Sequence, residues 1–99
     1  SDAELATLVD EAVVAIDAAT GEVFEDFAIR DGDTQPWKSP RTGERTVFPA
    51  EACFWTREGG AKLEPTWVLL NQHAGKQGPT LCPECGREVV PHTLFRRRR

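Results

Sequence analysis

No apolar run in this sequence approaches the ~20 residues that a membrane-crossing helix needs. The longest, Trp67-Val68-Leu69-Leu70, is strand-sized. A basic leader region is missing from the opening SDAELATLVD, so the chain reads as cytoplasmic, with no membrane insertion expected. No G-x-S-x-G, P-loop or H-E-x-x-H is present, and no Gly-rich strand-to-helix turn. The acidic "RDGD" at 30–33 lacks the calcium-loop frame with its closing Glu. These absences leave little for catalysis, and a non-enzymatic role is expected. Cysteine is scarce as well. Three cysteines make an odd set, which argues against closed internal disulfides and for a reducing compartment or a metal.

With 99 residues, the chain has room for one domain. A chain of this size buries roughly 60–68% of its unfolded surface, so a metal staple, an oligomer or a larger partner would help it hold together. The net charge of −4 conceals an asymmetry, because Arg96 to Arg99 form a run of four arginines. The remainder carries 8 basic against 16 acidic residues. Such a body is not the basic face of a general nucleic-acid binder, although the tail can touch an acidic partner or RNA.

Along the chain, Leu5, Leu8, Val9, Ala12, Val13 and Ile16 have helical spacing, with Ser1 or Asp2 as N-cap. Overlapping them, VVAIDAATGEVFEDF reads as strand, turn, strand, with Gly21 taking the left-handed position of the turn. The two signals together predict a short helix over about 2–10 and a hairpin over about 12–28. The competing reading runs the helix to Ala19 with Gly21 as its C-cap. Residues 30–45 are dense in Gly, Pro, Asp and Thr and predict a loop. Two β-rich runs, 52–57 and 66–71, flank the turn residues of EGG, and 72–80 is loop again. The fold class expected is mainly β, a small α+β chain with a zinc-ribbon-like C-terminal half, organised as segments 1–30 and 37–95 and a basic tail at 96–99.

The most specific stretch is TLCPECGREVVPHTL at 80–94. Cys82 and Cys85, two residues apart, let both sulfurs of one tight turn face a single ion, and Gly86 allows the sharp exit. A redox C-P-x-C would open a long helix, whereas only 14 residues follow Cys85, and GREVVPH reads as strand. Cys53 is the candidate third ligand, its alternative being a small buried hydrophobe. His92 is preferred as the fourth, far enough beyond Cys85 for the chain to return. His73, in a polar loop, is the alternative, as is a water or a partner's residue. A Cys₂His₂ site that leaves Cys53 in the core is the runner-up.

Residues 38–47, KSPRTGERTV, match 81–90, LCPECGREVV, in one register: Pro40 with Pro83, Gly43 with Gly86, Val47 with Val90. Ser39 and Thr42 stand where the cysteines would be. The match predicts a knuckle-shaped turn held by Ser39 and Thr42 hydrogen bonds, the degenerate mate of the cysteine knuckle.

On these residues the segment 37–95 resembles the zinc-ribbon or rubredoxin-like class, in which β-hairpins carry C-P-x-C-G turns around one zinc. The resemblance implies bound Zn²⁺, with Cys53, Cys82, Cys85 and His92 as its ligands here. Three cysteines rather than four speak against an iron redox role. A closed Cys₃His site holds no catalytic water and serves folding. Trp37, Trp55 and Trp67, with Phe48, Phe54 and Phe95, exceed what so thin a core needs, which suggests an exposed docking patch. The expected function is a structural zinc protein acting as an accessory subunit, bound to a protein partner or its own copies. The alternative is a nucleic-acid-binding ribbon that uses the arginine tail and an exposed Trp for stacking.

Overall fold

The computed structural model describes residues 11–91 and 96–97. Every regular element among them is a strand: β1 Glu11–Asp17, β2 Val23–Ile29, β3 Trp37–Lys38, β4 Arg45–Pro49, β5 Glu51–Trp55, β6 Ala61–Val68, β7 Thr80–Leu81, β8 Glu88–Val89 and β9 Arg96–Arg97. The mainly β expectation holds. The helix expected over 2–10 lies outside the described residues, and the longer helix to Ala19 is overturned, because 11–17 is extended. Val13, Val14 and Ile16 are β-branched and lose less side-chain freedom in a strand than against a helical turn. No helix of the described residues is long and apolar enough to cross a membrane.

β1 is the centre of the molecule. It pairs antiparallel with β2 from Glu11↔Ile29 to Ile16↔Val23, with β4 from Ala15↔Pro49 to Asp17↔Val47, and with β9 at Ala12↔Arg97 and Val13↔Arg96. Residues 12–16 form a continuous apolar run that is buried throughout, as neighbours on both faces require, and Asp17 at its end is buried as well. On one face Val13 and Ala15 pack with Ile29, Trp37 and Val47, capped by Phe24 and Phe27. On the other, Val14 and Ile16 pack with Ala50, Trp67 and Leu69 from the second half of the chain. One strand thus joins both halves.

The second half contains the hairpin β5–β6 and the smaller hairpin β7–β8. Its own core is Cys53, Val68, Leu70, Cys82 and Val89, with Cys85 packed against it. The hairpin expected over 12–28 is present. The loop expected over 30–45 is interrupted by β3 and by the start of β4, and Val47 is fully buried. β6 begins at Ala61, well before the expected 66. Cys53 pairs with Thr66 but Trp55 with Ala61, so the stretch containing Leu63, Glu64 and Pro65 bulges out of register. β6 is paired on one side only, where proline costs no ladder bond. The bulge leaves Leu63 95% exposed.

Candidate metal centre

Cys53 projects from the middle of β5, and Cys82 and Cys85 come from the turn between β7 and β8. Their sulfurs all lie within 4.8 Å of one another, and Cys53 and Cys85 are 3.4 Å apart. Thiolates at ~2.3 Å from a tetrahedral ion stand about 3.8 Å apart, so the three sulfurs mark three corners of such a site. The cluster can hold a metal ion. Among the described residues no histidine or carboxylate joins it.

The knuckle is built from its backbone. Cys82 N–H donates to Arg87 O at 2.9 Å, and Gly86 N–H returns to Cys82 O at 2.8 Å. Gly86 takes φ +80°, a conformation a side chain would strain. Burial pushes the Cys82 thiol up, but the N–H groups of Cys85 and Glu84 and the neighbouring Cys53 and Cys85 thiols outweigh it, so the net direction is downward. Cys53 moves the other way: burial raises it, Trp55 N–H pulls it partly back, and the other two sulfurs raise it further. Backbone donors aimed at sulfur are what a thiolate needs when it is taken out of water.

The three sequence-predicted cysteines are therefore brought together, Cys53 included, from 29 residues away. His92 lies outside the described residues. His73 points elsewhere: its ring stacks on Phe48 at 4.5 Å between centroids and 17° between planes. Burial holds its pKa below the ordinary histidine value, with Glu51 pulling partly back. Trp55 flanks the knuckle through the Arg87 guanidinium, 4.6 Å above its ring. Arg57 Nε also donates to Glu84 O at 3.2 Å, tying the β5–β6 turn to the knuckle.

The turn at Ser39–Glu44 has the predicted knuckle shape. Ser39 N–H bonds Glu44 O at 2.7 Å and Gly43 N–H bonds Ser39 O at 2.8 Å, with Gly43 at φ +77°. Ser39 Oγ accepts Arg41 N–H at 3.1 Å and Thr42 N–H at 3.4 Å, where sulfur accepts in the cysteine knuckle. Its position corrects the expectation, however. It does not complete the cysteine corner, because β4, which leaves it, pairs with β1 and directs the turn towards Asp17.

Among the described residues, the large exposed hydrophobics are Val23, Phe54, Trp55, Leu63, Leu81 and Val90, and all but Val23 belong to the half that carries the cysteines. Trp37, by contrast, is buried in the first core, and Phe95 lies outside the described residues. Comparison of the chain with protein-family profiles, with curated proteins and with solved structures finds no match.

Proposed function

We propose that the cysteine corner is a structural zinc site, with His92 as fourth ligand, and that the half it staples presents a binding face as an accessory subunit of a larger assembly. The carrying observation is the convergence of all three cysteines of the chain on one point, although Cys53 and Cys82 belong to different hairpins. Three soft donors at tetrahedral spacing fit zinc, which takes four nitrogen or sulfur ligands in closed structural sites. With three thiolates and a neutral imidazole the site carries a charge of −1, unsuited to an anionic substrate. The metal's role is folding: two of the five residues of the second core are themselves ligands. Phe54, Trp55, Leu81 and Val90, 41–57% exposed, supply the apolar face, and Arg87 and Glu88 lie beside Trp55 and Val90 in one groove.

Elemental analysis of purified wild type, Cys53→Ser and His92→Ala tests the metal. Zinc at one equivalent in wild type and lost from both variants supports it; full retention in the variants sinks the ligand set. A photo-crosslinking residue at Leu81 tests the face in the cell. An adduct of defined mass there, and none from position 25 on β2, is expected; adducts at neither position remove the docking role.

A further inference from the structure

We propose that residues 11–49 and 51–91 are two copies of one hairpin-pair unit, and that in the first copy Asp17, Thr20, Ser39 and Thr42 occupy the four ligand positions of a metal corner, hydrogen bonds standing in for the ion.

Three turns share one wiring. In Asp17-Ala-Ala-Thr-Gly-Glu22, Asp17 N–H donates to Glu22 O at 2.9 Å and Gly21 N–H to Asp17 O at 2.7 Å, with Gly21 at φ +81°. Ser39-Pro-Arg-Thr-Gly-Glu44 and Cys82-Pro-Glu-Cys-Gly-Arg87 repeat both bonds and the glycine at the same offsets, as given above. The first residue's side chain accepts from the N–H two positions on: Ala19 to Asp17 Oδ1 at 2.9 Å, Arg41 to Ser39 Oγ, Glu84 to Cys82 sulfur. The N–H three positions on, of Thr20, Thr42 or Cys85, is directed at the same side chain. The fourth residue of the first two turns caps the N–H of the sixth: Thr20 Oγ1 accepts from Glu22 at 3.2 Å, and Thr42 Oγ1 from Glu44 at 3.1 Å.

The units correspond beyond the turns. Each has a long hairpin followed by a short one: β1–β2 then β3–β4, and β5–β6 then β7–β8. Asp17 meets Ser39 across the first unit as Cys53 meets Cys82 across the second. Both Asp17 and Ser39 are 2% exposed. Burial pushes the Asp17 carboxyl up, but the Ala19 N–H and the hydroxyls of Thr46 and Ser39 beside the carboxylate outweigh it and the net direction is downward, although the Thr46 hydroxyl falls short of a formed hydrogen bond. Arg41 grips Glu22 through Nε at 2.8 Å, linking the two turns as Arg57 and Glu84 O do in the second unit. Cys53 takes the place of Asp17, with Trp55 N–H directed at its sulfur two residues on, although the β5–β6 turn itself starts later, at Thr56, whose N–H donates to Gly60 O at 2.7 Å. The second unit supplies three thiolates to its corner, which leaves the fourth position to His92 of the proposed site. A single buried carboxylate among hydroxyls offers no set of soft donors, so the first corner holds no zinc.

The test is a variant with Asp17→Cys, Thr20→Cys, Ser39→Cys and Thr42→Cys, titrated with cobalt(II) beside wild type and followed by thiolate-to-metal absorption. One tetrahedral equivalent more than wild type is expected. No gain overturns the duplication, whether or not the variant folds, because thiols on true ligand positions are drawn into place by the ion. The gain is read relative to wild type, so a wild type without metal sinks the zinc reading of the second corner and leaves this one standing. A milder variant, Thr20→Cys with Thr42→Cys, keeps the buried pair intact. On treatment with a thiol oxidant, peptide mapping should find the 20–42 disulfide at least 10-fold above a 20–34 control pair. Equal yields contradict the shared corner.

Discussion

Ser39 and Cys82 do one job with different atoms: each gathers the amides of the residues two and three positions on, and each starts a turn closed by a left-handed glycine. A hydroxyl forms these bonds as a neutral group, whereas sulfur forms good ones only as thiolate. Ser39→Ala strips two amides of their acceptor in a buried corner, and a loss of roughly 1–3 kcal/mol in urea unfolding is expected. Gly43 takes φ +77°, and the space where a Cβ would stand is open, so the cost of a side chain is conformational alone. Gly43→Ala should cost about 1–2 kcal/mol, while Gly60→Ala, at ordinary φ with its nearest contact at 3.5 Å, should be close to neutral. Equal losses in the two variants would contradict the turn geometry. Asp17 adds a pH dependence: its folded pKa lies below the unfolded 3.8, so its stabilisation is complete above about that pH and fades as pH falls through the folded value. Asp17→Asn should therefore be less stable than wild type at pH 7, with the gap closing below pH 3.8. A gap independent of pH would mean the carboxylate is not what is stabilised. The cysteines and Gly86 were legible in the sequence because their chemistry allows few other uses. Asp17 was not, since an aspartate before a turn is ordinary; the signal available was the repeat of Thr-Gly-Glu at 20–22 and 42–44.

Among the elements, the β1–β2 hairpin was readable from its β-branched run and Gly21. β4 was missed because five residues, ending in Pro49, give too short an alternation to stand out from the surrounding turn residues. The start of β6 was hidden by Pro65, which a one-sided strand accommodates by bulging. The match between 38–47 and 81–90 correctly gave the shape of the turn but not its place, because hydrogen bonding within a turn is local and pairing with β1 is not. The cores of the two halves also differ in kind. Val13, Ala15, Ile29, Trp37 and Val47 need no metal, whereas Cys53 and Cys82 form part of the second core. A zinc chelator should raise amide exchange at Cys82 and Gly86 at least 10-fold and leave Gly21 and Gly43 protected. Simultaneous loss in both halves would show that they unfold as one.

At the scale of the whole molecule, β1 divides its two faces between the halves, and Ala50, Trp67 and Leu69 seal the junction. The arrangement places a unit with an aliphatic and aromatic core beside one whose core contains the cysteine corner, and among the described residues the exposed aromatics Phe54 and Trp55 lie on the cysteine side. The decisive measurement is zinc per chain after exhaustive dialysis, for wild type, Cys53→Ser, Cys85→Ser, His92→Ala and His73→Ala. One equivalent in wild type and in His73→Ala, with loss from the two cysteine variants and from His92→Ala, is the predicted pattern. A wild type without zinc, or a Cys53→Ser chain that retains its full equivalent, would contradict the metal centre itself.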